Sequence, residues 1–151
     1  HLIDIQNEFI KSKKGYLQIK KQIIDEEGNL KPIEENKTFK FDVLIDYNNG
    51  TAPLTKKVEI NVAKGQSSAQ ATGDNIVEAS WTGDTIPTYT IIEDETNFGQ
   101  NYQLSSLENE GKGNFVENEI TNPIQIICKN LVKIESAEEM KLEVIKKIIV
   151  N

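Results

Sequence analysis

Apolar and polar residues alternate in short runs along this chain, and nearly every run ends in a turn signal. A period of two places every second side chain on one face, so such a run can bury only that face. The pattern predicts strands over 16–24, 38–45, 57–62, 76–81, 87–93, 113–120 and 123–130. Between them lie Asp25-Glu26-Glu27-Gly28-Asn29, the Asn49-Gly50 pair and Thr82-Gly83-Asp84, residues that favour turns. The stretches 63–73 and 97–101 read as loops, and only 136–141 reads as helical. Several short half-apolar strands imply two sheets stacked face to face, an all-β antiparallel sandwich.

The 151 residues suit one domain with short appendages. We assign 1–14 to a lead-in segment, 15–134 to the sandwich, and 135–151 to a linker followed by a strand. That last strand has a precedent within the chain: 142–149 resembles 17–24 without a gap, and Lys146 aligns with Lys21. Either the tail opens a following repeat, or the likeness is a coincidence between two Ile/Lys-rich strands.

Composition removes several functions. A net charge of -7 leaves no basic surface for phosphate, so neither nucleic acid nor an anionic membrane is an expected partner. His1 is the sole histidine, which excludes histidine-based triads and histidine-rich metal sites. No spacing fits an oxygen-ligand calcium loop, so no metal or cofactor is expected. Cys128 is the sole cysteine and cannot form an internal disulfide. It reads as a small core residue. No apolar run reaches the length of a bilayer span.

Three polar residues sit where the alternation points inward. Lys21 shares parity with Leu17 and Ile19, Glu93 with Tyr89 and Ile91, and Asn130 with Ile124, Ile126 and Cys128. Burying one of them alone is costly, whereas burying all three where they meet is tolerable. Simpler readings stand beside this one. Lys20 and Lys21 could guard an edge strand. Glu93-Asp94-Glu95 could be a solvated turn, or a register slip could make Asp94 or Glu95 the inward acid. Asn130 could close a strand end, and Cys128 could serve a thioester with a glutamine.

The same residues resemble a known family. Gly15-Tyr16-Leu17-Gln18-Ile19-Lys20-Lys21 is similar to the opening strand of collagen-adhesin B-type (Cna-B, SpaA-like) domains. Tyr89-Thr90-Ile91-Ile92-Glu93, with Tyr102 nine residues on, resembles their E-box, and 124–130 resembles their closing strand, which ends in Asn. The chain departs from the pattern at Phe98-Gly99-Gln100-Asn101, where the family has Pro-Gly.

The resemblance implies an immunoglobulin-like (Cna-B, prealbumin-like) sandwich that joins Lys21 to Asn130 through an isopeptide bond, with Glu93 relaying protons. Desolvation disfavours both charged forms, so a dry core would hold a free amine beside an un-ionised acid. The amine would attack the Asn130 carbonyl while Glu93 hydrogen-bonds its oxygen. This is one self-modification per molecule and not enzyme turnover. It further implies a stalk or shaft module of an extracellular, cell-wall-anchored Gram-positive adhesin or pilus, with adjacent modules of the same protein as partners. The alternative is a module whose loops, 63–73 among them, recognise a host protein or glycan.

Overall fold

The structure, a computed structural model of the chain, describes residues 11–133. Among these residues nine strands form two sheets: β1 (Ser12–Ile24), β2 (Lys37–Asp46), β3 (Leu54–Val62), β4 (Ser68–Gln70), β5 (Val77–Thr82), β6 (Thr88–Glu93), β7 (Tyr102–Leu107), β8 (Lys112–Asn114) and β9 (Ile124–Val132). The expected helical stretch at 136–141 and the repeat strand at 142–149 lie outside the described residues, as do residues 1–10 of the lead-in.

The first sheet runs β7–β9–β1, with β4 and β5 sharing the far side of β1. The second runs β3–β2–β6–β8. Alternation explains why they stack. Phe39, Phe41, Val43 and Ile45 of β2 are buried, as are Val58, Ile60 and Val62 of β3. They meet Leu17, Ile19, Ile23, Ile126 and Val132 of the first sheet in one continuous core.

The arrangement departs from the sequence reading in several places. The sandwich is not purely antiparallel, because β1 and β9 pair in parallel, from Leu17 beside Ile124 to Ile24 beside Leu131. Parallel neighbours need a long connection, and here nearly the whole chain supplies it. β1 begins at Ser12, three residues before the expected domain start at Gly15, because its first half pairs with β5 from Ser12–Thr82 to Leu17–Val77. Loop 63–73 contains β4, which pairs Lys20, Lys21 and Gln22 with Gln70, Ala69 and Ser68.

The strand expected over 113–120 ends at Asn114. There the chain crosses between sheets. Phe115 donates its N–H to Pro87 O at 2.9 Å and buries its ring edge-on to Tyr89. Three residues on, Asn118 lies along β1. Its Oδ1 accepts from Tyr16 N at 2.6 Å and its Nδ2 donates to Tyr16 O at 3.1 Å. β9 begins its pairing only at Leu17, so this amide satisfies the part of β1 that β9 does not reach.

Gly15 makes that crossing possible. A Cβ there would lie 2.5 Å from Val116 O and 3.2 Å from the Trp81 ring. Gly15→Ala should therefore force the crossing segment off β1 and destabilise by about 1–3 kcal/mol, the usual cost of overpacking. Chemical denaturation measures this, and an unchanged midpoint would show that the contact yields freely.

Candidate functional site

Lys21, Glu93 and Asn130 converge in the middle of the core. Each arrives from a different strand. Lys21 is on β1, which lies between β9 and β4 and so is not an edge strand. Asn130 is on the neighbouring β9, two residues past Cys128, which lies abreast of Lys21 in the ladder. Glu93 ends β6 and comes from the opposite sheet, paired with Phe41 of β2. Lys21 and Asn130 are 0% exposed and Glu93 is 6% exposed.

Glu93 is the hub. Lys21 Nζ donates to Glu93 Oε1 at 2.8 Å and to Oε2 at 2.6 Å. Asn130 Nδ2 donates to Oε1 at 2.5 Å. One carboxylate oxygen thus touches both the amine and the carboxamide nitrogen. Charge-assisted contacts of this kind are what make a buried ionisable group tolerable.

Aromatic rings close the remaining space. Lys21 Nζ lies 4.5 Å from the ring centre of Phe39, 5.5 Å from Phe41 and 5.8 Å from Phe98. Phe98 and Tyr102 pack edge-on to Phe39, so segment 98–102 covers the cluster. Tyr102, the second tyrosine of the E-box-like stretch, thus packs over the cluster. Burial pushes the Lys21 amine below the ordinary lysine range, against the opposing pull of Cys128 and Glu93 beside it.

The neighbouring acids take other roles. Asp94 caps the short 3-10 turn Glu95–Asn97 by accepting from Thr96 N. The hydroxyl and N–H of Thr96 hold its carboxyl below the usual range. Glu95 is exposed. The inward acid is therefore Glu93, with no slip of register.

Two features differ from the sequence reading. Glu93 faces the nitrogen of the Asn130 carboxamide and not its oxygen. A carboxylate only accepts hydrogen bonds, so it turns toward the NH2 group. The second difference is Cys128, read from sequence as simple core filler. It is fully buried, but its thiol donates to Glu93 Oε2 at 2.8 Å and lies 3.5 Å from Lys21 Nζ. Its shared parity with Asn130 was the available signal.

The contacts of Gln18, the buried glutamine on β1, are spent elsewhere. It donates to Ala71 O at 2.8 Å and accepts from Gln125 at 2.9 Å. Among the described residues the Cys128 thiol contacts Lys21, Glu93 and Asn130 and no glutamine, so the thioester reading has no geometric support there. Burial pushes the Cys128 thiol up to about 12, with Glu93 adding to the shift and Lys21 opposing it. The native thiol should therefore resist iodoacetamide at about pH 8 and react fully in denaturant, because the thiolate is the reactive form. Rapid labelling of the native chain would mean that this part of the core opens.

Chemically, the cluster offers a poised amine, a carboxamide, a carboxylate between them and an apolar wall that excludes water. No family model matches the sequence, and no curated protein matches it.

Proposed function

We propose that this chain is a structural stalk or shaft module of a cell-wall-anchored surface adhesin or pilus, locked by a Lys21–Asn130 isopeptide bond. The observation that carries the reading is Glu93 Oε1 in contact with both Lys21 Nζ and Asn130 Nδ2 in a dry core. The immunoglobulin-like, Cna-B type of sandwich belongs to the same proposal. Its support is the order of the three residues and the adjacency of the first and last described strands.

The reaction balances without a cofactor. Lys21 passes a proton to Glu93 and becomes a free amine. Its lone pair attacks Asn130 Cγ and a C–N bond forms. Glu93 returns the proton to Nδ2, the C–Nδ2 bond breaks and ammonia leaves. The second proton of the attacking amine passes to Glu93 as the amide forms, leaving the acid un-ionised. The orientation of Glu93 suits the last step, since it already touches the departing nitrogen. Folding supplies the proximity, worth roughly 7–11 kcal/mol of barrier in well-oriented cases.

The topology gives the bond a mechanical purpose. Because β1 and β9 are parallel, tension entering at Ser12 and leaving at Val132 would shear one strand past the other. A Lys21–Asn130 link would carry that load across the sheet and leave the intervening residues unstretched. Force spectroscopy tests this directly. The wild-type module should extend by only its terminal segments, whereas Asn130→Ala should release the whole chain length. Equal extension for both would remove the mechanical role.

Recognition of a host protein or glycan through loop 63–73 has less support. β4 ties the middle of that segment to β1, and Ala71 is buried with its N–H donated to Ile19 O at 2.9 Å.

A further inference from the structure

We propose that Cys128 is a positioning residue for the cross-link: its thiol hydrogen anchors Glu93 Oε2, so that Oε1 stays between the amine and the carboxamide. The inference rests on the cross-link reading above and deepens it.

The two oxygens of Glu93 have different neighbours. Oε1 accepts from Lys21 Nζ and Asn130 Nδ2, at 2.8 and 2.5 Å. Oε2 accepts from Lys21 Nζ and the Cys128 thiol, at 2.6 and 2.8 Å. The terminal torsion of a glutamate is broad and has no deep staggered well. Contacts must therefore set the plane of the carboxylate. Lys21 touches both oxygens and cannot select one orientation. Asn130 is one of the reacting groups. Cys128 is the remaining donor among these contacts; of the two Glu93 oxygens it reaches Oε2, at 2.8 Å, far closer than its other acceptor, Asn130 Oδ1, at 3.7 Å.

The thiol suits the task because it stays protonated. Burial pushes it up to about 12, so it keeps its hydrogen throughout the neutral range. For the same reason it does not compete with Lys21 as a nucleophile, since attack requires the thiolate. Its place on β9 abreast of Lys21 and in line with Asn130 fixes its distance to both.

The test follows bond formation in time. Full-length chain is made by cell-free synthesis, and the fraction lighter by one ammonia is measured by mass spectrometry at intervals. Cys128→Ser keeps a donor and should react within about threefold of wild type. Cys128→Val and Cys128→Ala lack one and should slow by roughly tenfold, the rate equivalent of one hydrogen bond to a charged group. Asn130→Ala versions of each variant report the fold without the reaction, and a shared melting temperature there ties the rate difference to the donor. Alanine adds no bulk and stands in for valine if valine does not fit.

Wild-type speed in both donor-free variants would overturn the role of Cys128 while leaving the cross-link intact. A serine variant as slow as alanine would overturn it too. Wild-type chain that keeps its full mass would overturn the cross-link itself, and this role with it.

Discussion

Purified wild-type protein is expected to weigh less than its sequence requires by one ammonia, and Lys21→Ala or Asn130→Ala should each restore the full mass. Fragmentation should place the missing mass in a branched peptide joining residue 21 to residue 130. The stability effect is large. The bond would close a loop of about 100 residues, which the chain-entropy argument values at roughly 4–5 kcal/mol less any native strain. For a domain of this size that corresponds to a fall of roughly 15–25 °C in melting temperature when the bond is absent.

The two variants should not be equally unstable. Asn130→Ala leaves the Lys21–Glu93 pair intact. Lys21→Ala strands Glu93 in the core without its cation, and removing one member of a buried pair costs about 3–5 kcal/mol. Lys21→Ala should therefore melt lower, although both have the same missing bond. Equal melting temperatures for wild type and Asn130→Ala would show that no covalent closure contributes.

Glu93→Gln should fold and yet fail to cross-link. The amide keeps the size of the side chain and can still accept from Lys21, but it cannot take and return a proton. Loss of a positioned general acid–base group costs typically about 10²–10⁴ in rate. Cell-free product should therefore remain at full mass over hours in which wild type converts completely. Its melting temperature should fall below that of Asn130→Ala, because Lys21 loses the anion of its buried pair. Glu93→Ala should be worse on stability alone, because Lys21 then loses both of its carboxylate contacts in a cavity where it is 0% exposed. Conversion of Glu93→Gln at the wild-type rate would mean that proximity suffices and the acid has no chemical part.

Much of this arrangement was legible in single strands. Phe39, Phe41 and Val43 announce the buried face of β2, and the same alternation marks Lys21, Glu93 and Asn130 as inward despite their polarity. β7 was not foreseen. It is an edge strand with a bulge between Leu104 and Ser106, and most of its side chains stay in contact with water, so its alternation is diluted. The end of β8 at Asn114 was missed because apolar Phe115 continues the pattern while serving a crossing between sheets.

Inward and outward follow from the period of the pleat, and the sequence by itself therefore determined that Lys21, Glu93 and Asn130 face the core; Gln18, at the opposite parity, is buried through its tertiary contacts with Ala71 and Gln125. Which strands become neighbours is different. Only the tertiary structure laid β9 parallel to β1, carried Glu93 across from the other sheet and set the Cys128 thiol against its second oxygen. Those contacts join residues 35 to 107 positions apart, and their choice depends on how all the strands pack together, which no local pattern encodes.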